Sequence, residues 1–209
     1  MSPPANLRAQ AAEARRGAIL VAAKEEFVAK GFAAARIEDI ARRAGVAKGT
    51  VYLSFPDKEQ LFESVISDHM APLAARLRSR LADAGGSVRA MLEPVLLSLL
   101  DELHNGETGP VLRLLLSEAI RFPRLGERYG REVIEPTLQL QRFLLARAAQ
   151  TGELRNPATA DFPQLILAPV IVGLIWQGVF NQAMPLDLDA MVKAQLDALF
   201  MAPPEPRGG

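Results

Sequence analysis

Apolar residues in this chain recur at three- and four-residue spacings almost throughout, and nowhere alternate with polar ones over a useful length. A helix repeats every 3.6 residues and a strand every two, so the periodicity confines the chain to an all-α fold. Composition bears on what such a fold can do. Hydrophobic residues make up 49% and charged residues 23%, the mixture of a globular protein and not of a disordered or fibrous one. With no cysteine there is no disulfide framework and no thiolate metal site. Two histidines, His69 and His104, leave little for zinc or for imidazole catalysis. No nucleophile elbow, phosphate loop, HExxH or dinucleotide fingerprint occurs, so neither an enzyme nor a cofactor is expected.

Breaks in the periodicity give about nine helices. The first is expected over Asn6–Lys30, closed by Gly31 in a left-handed cap. Short helices follow over Ile37–Ala44, ended by Gly45, and Ala47–Ser54, ended before Pro56. A long one over Asp57–Asp83 opens with Asp57 and Gln60 in the spacing of a capping box, and stops at Ala84-Gly85-Gly86-Ser87. Five more are expected near Val88–Leu103, Gly109–Phe122, Arg124–Gln150, Thr159–Ala183 and Leu188–Met201, with Pro94, Pro136 and Pro169 kinking or splitting their hosts. Pro203–Gly209 reads as a disordered tail. The most apolar run, Leu165–Phe180, is shorter than the roughly 20 residues of a membrane span and holds Pro169 and Gln177, so it reads as a buried helix. The N-terminal stretch lacks an apolar core before its charges. A cytoplasmic protein without a membrane partner is the expectation.

Charge is balanced overall but not along the chain. Residues 1–62 hold ten Lys/Arg against seven Asp/Glu, and residues 63–209 hold fourteen against seventeen. The basic front contains IEDIARRAGVAKGTVYLSF at residues 37–55. Ala41 is small where two short helices would cross, and Gly45 tolerates the positive φ of a tight turn. Ile37, Ile40, Ala44, Val46 and Val51 fall at the offsets that pack against a third helix, leaving Asp39, Arg42, Arg43, Lys48 and Thr50 outward. That is the pattern of a helix-turn-helix.

The stretch Ile19–Phe62, with AAKEEFVAKGF, AGVAKGTVY and FPDKEQLF, resembles the DNA-binding head of the TetR family of bacterial transcriptional regulators. The resemblance covers about the first third of the chain, and the helical remainder fits the family in length. It implies a DNA-binding domain at residues 1–56, an effector-binding and dimerisation domain at 57–202 and a tail at 203–209. It also implies a ligand-responsive regulator, most simply a repressor of a double-stranded DNA operator, with an activator or, remotely, an all-helical enzyme as alternatives. The small, largely apolar effector would sit in the second domain and shift the long helix like a lever. Homodimerisation is expected through the two C-terminal helices, with Leu188, Met191, Val192, Leu196 and Leu199 facing the twin subunit.

Site residues carry over position by position. Lys48, Gly49, Thr50 and Tyr52 match family positions that meet bases and phosphates. Lys48 brings a charge for a phosphate or a guanine edge, and Gly49 permits close backbone approach. Thr50 offers a hydroxyl to phosphate and a methyl to thymine, and Tyr52 a ring and a hydroxyl. Lys58 matches a phosphate contact. Arg36 stands where many members carry Ser or Thr, as does Ala35, and supplies charge instead of a cap. Ala47 likewise replaces a common serine, and Ser54 a common aromatic or histidine. For the effector the candidates are His69, Leu73, Leu100, Leu115, Glu118, Phe143 and Trp176. Glu118 reads either as a ligand anchor or as an ion-pair partner of Arg121 or Arg113. Trp176 reads as a pocket wall or as packing against Phe180, and the apolar candidates either line a cavity or fill it.

Overall fold

The computed structural model describes residues 5–82 and 86–202. Helices follow one another as α1 (Ala5–Ala34), α2 (Ile37–Arg43), α3 (Lys48–Ser54), α4 (Lys58–Ala82), α5 (Val88–Asn105) and α6 (Thr108–Glu118). Then come α7 (Pro123–Tyr129), a π-helical turn (Gly130–Ile134), α8 (Glu135–Gln150), a 3-10 turn (Pro157–Asp161), α9 (Gln164–Val179) and α10 (Leu188–Leu199). The stretch from α7 through the π-turn to α8 is unbroken, so nine continuous rods stand among the described residues. The sheet-like pairing described is a single bridge between Leu154 and Phe200. No described helix is long and apolar enough to cross a membrane. The expected tail at Pro203–Gly209, and Asp83, Ala84 and Gly85 at the break after α4, lie outside the described residues.

Glycine punctuation works as the sequence implies at two places. Gly31 has φ +74° and interrupts α1, which resumes for one more turn to Ala34. Gly45 has φ +67° and turns α2 into α3. Some expected boundaries shift by more than fraying. The helix expected to start at Thr159 begins at Gln164, because Phe162 and Pro163 separate it from the 3-10 turn. The one expected over Gly109–Phe122 ends at Glu118, ahead of Pro123.

The chain divides into two compact units. The described residues of Met1–Met70 join Pro110–Gly126 in the first, and those of Ala71–Gly109 join Glu127–Gly209 in the second. The opening turns of α4 thus belong to the first unit. Leu61, Phe62, Val65 and Ile66, on the opening turns of α4, are each at most 1% exposed. Phe62 stands edge-on to Phe27 at 5.1 Å and to Phe32 at 5.0 Å, and Phe122 closes on Phe32 at 4.4 Å. Pro72 lies inside α4 just past Met70 and deletes the backbone bond to the carbonyl four residues earlier.

In the second unit, α5 packs on α8, α9 and α10. α10 turns Leu188, Val192, Leu196 and Leu199 inward, each at most 9% exposed. This corrects the expectation that those residues face a twin subunit: α5 and α9 already take up that stripe. Apolar surface is left open on α9, where Ile171, Val172, Ile175 and Val179 are exposed.

The start of α5 is capped from far along the chain. Ser87, its N-cap, makes no side-chain cap of its own. The Ser87 hydroxyl and the Val88 N–H both donate to Glu153 Oε2, at 2.8 and 2.7 Å. A carboxylate there satisfies an orphan donor and complements the helix dipole. Burial pushes the Glu153 carboxyl up, but the bonds from Ser87, Thr151 and the Val88 backbone prevail, and its pKa is lowered. A depressed folded pKa stabilises above the unfolded value, and that contribution disappears as pH falls through the folded one. Glu153→Ala is expected to cost roughly 1–2 kcal/mol at pH 7. Urea denaturation at pH 7 and pH 3 checks this: the gap between wild type and variant narrows in acid.

Candidate nucleic-acid interface and effector residues

The outward surface of the helix-turn-helix follows from where the core pins it. Val51 is fully buried and fixes the rotation of α3. At 100° per residue, Gly49 and Leu53 then point directly away from the core, with Thr50 and Tyr52 to the sides. The exposures agree: Leu53 is 89% exposed, Tyr52 43%, and Thr50 is half-buried. A Cβ added at Gly49 would meet nothing within 4 Å, so this turn offers bare backbone. α2 and α3 begin at Arg36 and Ala47, both extended and both without a side-chain cap, as the missing hydroxyls imply. Their first amides therefore stay open to an external anion.

The cations here are held by neighbours. Lys48 Nζ sits 2.5 Å from Glu38 Oε1 and 5.8 Å from the Tyr52 ring centroid. Its pKa is raised, chiefly by the hydrogen bond to Glu38, and the Glu38 carboxyl is lowered by the same bond. Arg42 pairs with Asp39 at 2.5 Å and Arg43 with Glu25 at 2.8 Å. Glu26, 1% exposed, holds Lys30 at 2.6 Å, and Lys30 reaches Asp39 at 3.0 Å. This network clasps α2 to α1 and keeps α3 presented. Lys58 donates to the Ala33 carbonyl at 3.2 Å and lies 4.7 Å from the Phe32 ring centroid. Burial pulls its pKa down, while the Glu118 carboxylate pulls it back up. Lys48, Gly49, Thr50 and Tyr52 thus lie on α3 and Arg36 is exposed at the start of α2, whereas Lys58 has an internal role as well. The residue missed from sequence is Leu53; its signal was an apolar side chain out of phase with Val51.

The effector candidates are divided between the two units. His69, Leu115 and Glu118 belong to the first unit, and Leu73, Leu100, Phe143 and Trp176 to the second. His69 is half-buried and donates from Nδ1 to the Val65 carbonyl at 3.1 Å. Leu115 is 2% exposed. Glu118 lies 3.8 Å from Arg121, the ion-pair reading, and its buried Oε2 has no hydrogen-bond partner. Leu73 is 9% exposed. Leu100 borders an open cleft of about 390 Å³ with His104 and Gln177, whose side chains meet at 2.7 Å. Trp176 packs on Phe180 at 5.1 Å and donates to the Met184 carbonyl at 2.7 Å.

Phe143 is a correction. It is 64% exposed, because the inward stripe of α8 runs through Gln141, Leu144, Leu145 and Ala148. Gln141 takes the interior place that sequence gave to Phe143. It is 2% exposed, and its Oε1 has no hydrogen-bond partner. Leaving a buried acceptor unpaired costs about 1–3 kcal/mol, so this oxygen invites a donor.

Comparison with known proteins places this geometry among relatives. Residues 19–65 match the model described as "Bacterial regulatory proteins, tetR family", and residues 81–198 match "Tetracyclin repressor-like, C-terminal domain". The HTH-type transcriptional regulator SrpR of Pseudomonas putida is 27% identical, over 92% of this chain and 88% of its own. The HTH-type transcriptional repressor BepR of Brucella suis is 27% identical, over 80% of this chain and 81% of its own. The SmeT–triclosan complex superposes with a TM-score of 0.75 at 25% identity, over 94% of this chain and all of that one. A second SmeT structure, described as the repressor of the Stenotrophomonas maltophilia multidrug efflux pump SmeDEF, gives 0.70 at 25% identity, over 89% of this chain and 90% of that one.

Proposed function

This chain belongs to the TetR family of bacterial regulatory proteins, and on that premise we propose that it is a repressor released from its operator by a small, largely apolar ligand carrying one hydrogen-bond donor. The observation that carries the DNA-binding reading is the rotation of α3, which buries Val51 and turns Gly49, Tyr52 and Leu53 outward. Residues 1–56 are the operator-binding domain in this reading, and 57–202 the effector-binding and dimerisation domain. Arg36, Lys48, Gly49, Thr50 and Tyr52 contact DNA, and Lys58 adds a phosphate contact. Repression is supported by the descriptions of BepR and SmeT, and a protein with this role works in the cytoplasm, without catalysis.

Two copies associate through the open stripe on α9, Ile171, Val172, Ile175 and Val179, with α10 alongside. Pairing doubles the DNA contacts and fixes half-site spacing at about one helical turn. The ligand is read by α4, whose residues are shared between the units, with Pro72 removing a backbone bond near the division. A ligand that prefers the DNA-free arrangement by about 1–3 kcal/mol suffices for release.

Fluorescence anisotropy tests the operator claim, with duplexes from upstream of the chain's own gene against scrambled duplex at physiological salt. The expected preference is about a thousandfold or more. Equal binding in the range of about 10⁻⁴–10⁻⁶ M, with every upstream duplex tried, would sink it. A reporter driven from the bound duplex separates repression from activation. Triclosan, held by SmeT in its complex, is the first release probe. Gln141→Leu removes the unpaired acceptor, so stability is expected to hold or rise while the probe concentration needed for release grows about tenfold. Unchanged release by an active probe would show that Gln141 does not meet the ligand.

A further inference from the structure

We propose that Leu53 reads the methyl group of a thymine in the major groove and is a specificity-determining residue of α3. The inference rests on the reading of α3 as the helix that enters DNA, and deepens it by naming the base feature recognised.

Leu53 lies two residues past Val51, about 200° around the helix from a side chain that is fully buried. It therefore occupies the crest of α3, the line that travels deepest when the helix enters a groove. One turn earlier on the same line stands Gly49, with open space where a Cβ would be. The crest is thus bare backbone followed by one leucine. At 89% exposure, Leu53 touches almost nothing in its own chain.

Chemistry narrows what covers it. Leucine has no donor, acceptor or charge, so it can satisfy neither a phosphate nor the hydrogen-bonding edges of guanine, adenine or cytosine. The major groove presents one apolar feature, the C5-methyl of thymine. The surroundings favour DNA over a protein surface: Lys48 and Tyr52 lie to one side, and Arg36 and Arg42 are exposed on α2 and at its start. Thr50 also carries a methyl group, but it is half-buried and lies on the flank.

Deoxyuridine isolates the methyl, because it pairs as thymine does and differs only by hydrogen at C5. Preferred duplexes would be selected from a random library with the full chain, and each thymine then replaced in turn. One thymine per half-site is expected to be sensitive, with affinity falling about 3–5-fold there and about 10–25-fold when both half-sites are altered. Leu53→Ala is expected to bind the thymine duplex correspondingly more weakly and to lose the sensitivity, while Thr50→Ser keeps it. Leu53 is too exposed for the alanine variant to endanger folding, and an unchanged melting temperature checks this. Sensitivity that persists in Leu53→Ala overturns the proposal, as does a selected duplex with no sensitive thymine. If selection enriches nothing and binding lacks salt dependence, the DNA-binding reading itself fails, an outcome distinct from the other two.

Discussion

Phe62→Ala is expected to lower the unfolding free energy by about 3–5 kcal/mol, the range for removing a fully buried aromatic ring from a packed core. Phe62 is 1% exposed and faces Phe27 and Phe32 edge-on at 5.1 and 5.0 Å, with Phe122 at 6.3 Å. Each well-placed ring pair adds roughly 0.5–1.5 kcal/mol beyond area burial, so the loss belongs in the upper part of that range. Phe62→Leu keeps most of the volume and is expected to cost much less. Guanidinium denaturation at fixed protein concentration, followed by circular dichroism, separates the two. A loss under 1 kcal/mol for the alanine variant would mean that the four rings do not hold the first unit together. The substitution is also expected to weaken operator binding, since Phe62 packs on Phe27 of α1, the helix on which α2 rests.

Lys48→Ala is expected to weaken specific operator binding about 30-fold or more. A good contact to a guanine edge contributes about 1–3 kcal/mol, and a dimer loses it twice. Glu38→Gln is expected to act in the opposite direction. The Glu38 carboxylate holds Lys48 at 2.5 Å in the absence of DNA, so its neutral isostere frees the ammonium and removes a negative charge from the interface. Anisotropy across a salt series reads both variants. If Lys48 meets a phosphate, the alanine variant weakens all duplexes alike and reduces the salt slope by about one per contact. If it meets a guanine edge, the loss concentrates on duplexes carrying that base. Tighter binding by Lys48→Ala would show that the lysine serves Glu38 alone.

The helix-turn-helix was legible because its constraints are local. The spacing of Ile37, Ile40 and Val51, the small Ala41 and the positive φ of Gly45 are properties of a 19-residue stretch, and the structure reproduces each. The missing hydroxyl caps at Arg36 and Ala47 were legible for the same reason. The exposure of Phe143 was not. Helical spacing gives a side chain a phase but not the direction of the core. On α8 the phase pairing Gln141 with Leu144 and Leu145 prevailed, and Phe143 was left in solvent. On α10 the apolar stripe was read correctly as a stripe, but its partners are α5 and α9 of the same chain.

Sequence by itself determined the helical class, the turn at Gly45 and the burial of Val51 on α3. These depend on backbone preferences and on neighbours within a few residues. Tertiary structure alone decided which partner each apolar stripe and each charge would take. Glu153 caps α5 across 65 positions, Phe122 joins Phe32 and Phe62 from the far side of the sequence, and Glu38 occupies Lys48 from the preceding helix. Such choices are settled when burial must be maximised for the whole chain at once and every buried polar group must find a partner. No short window of sequence contains that competition.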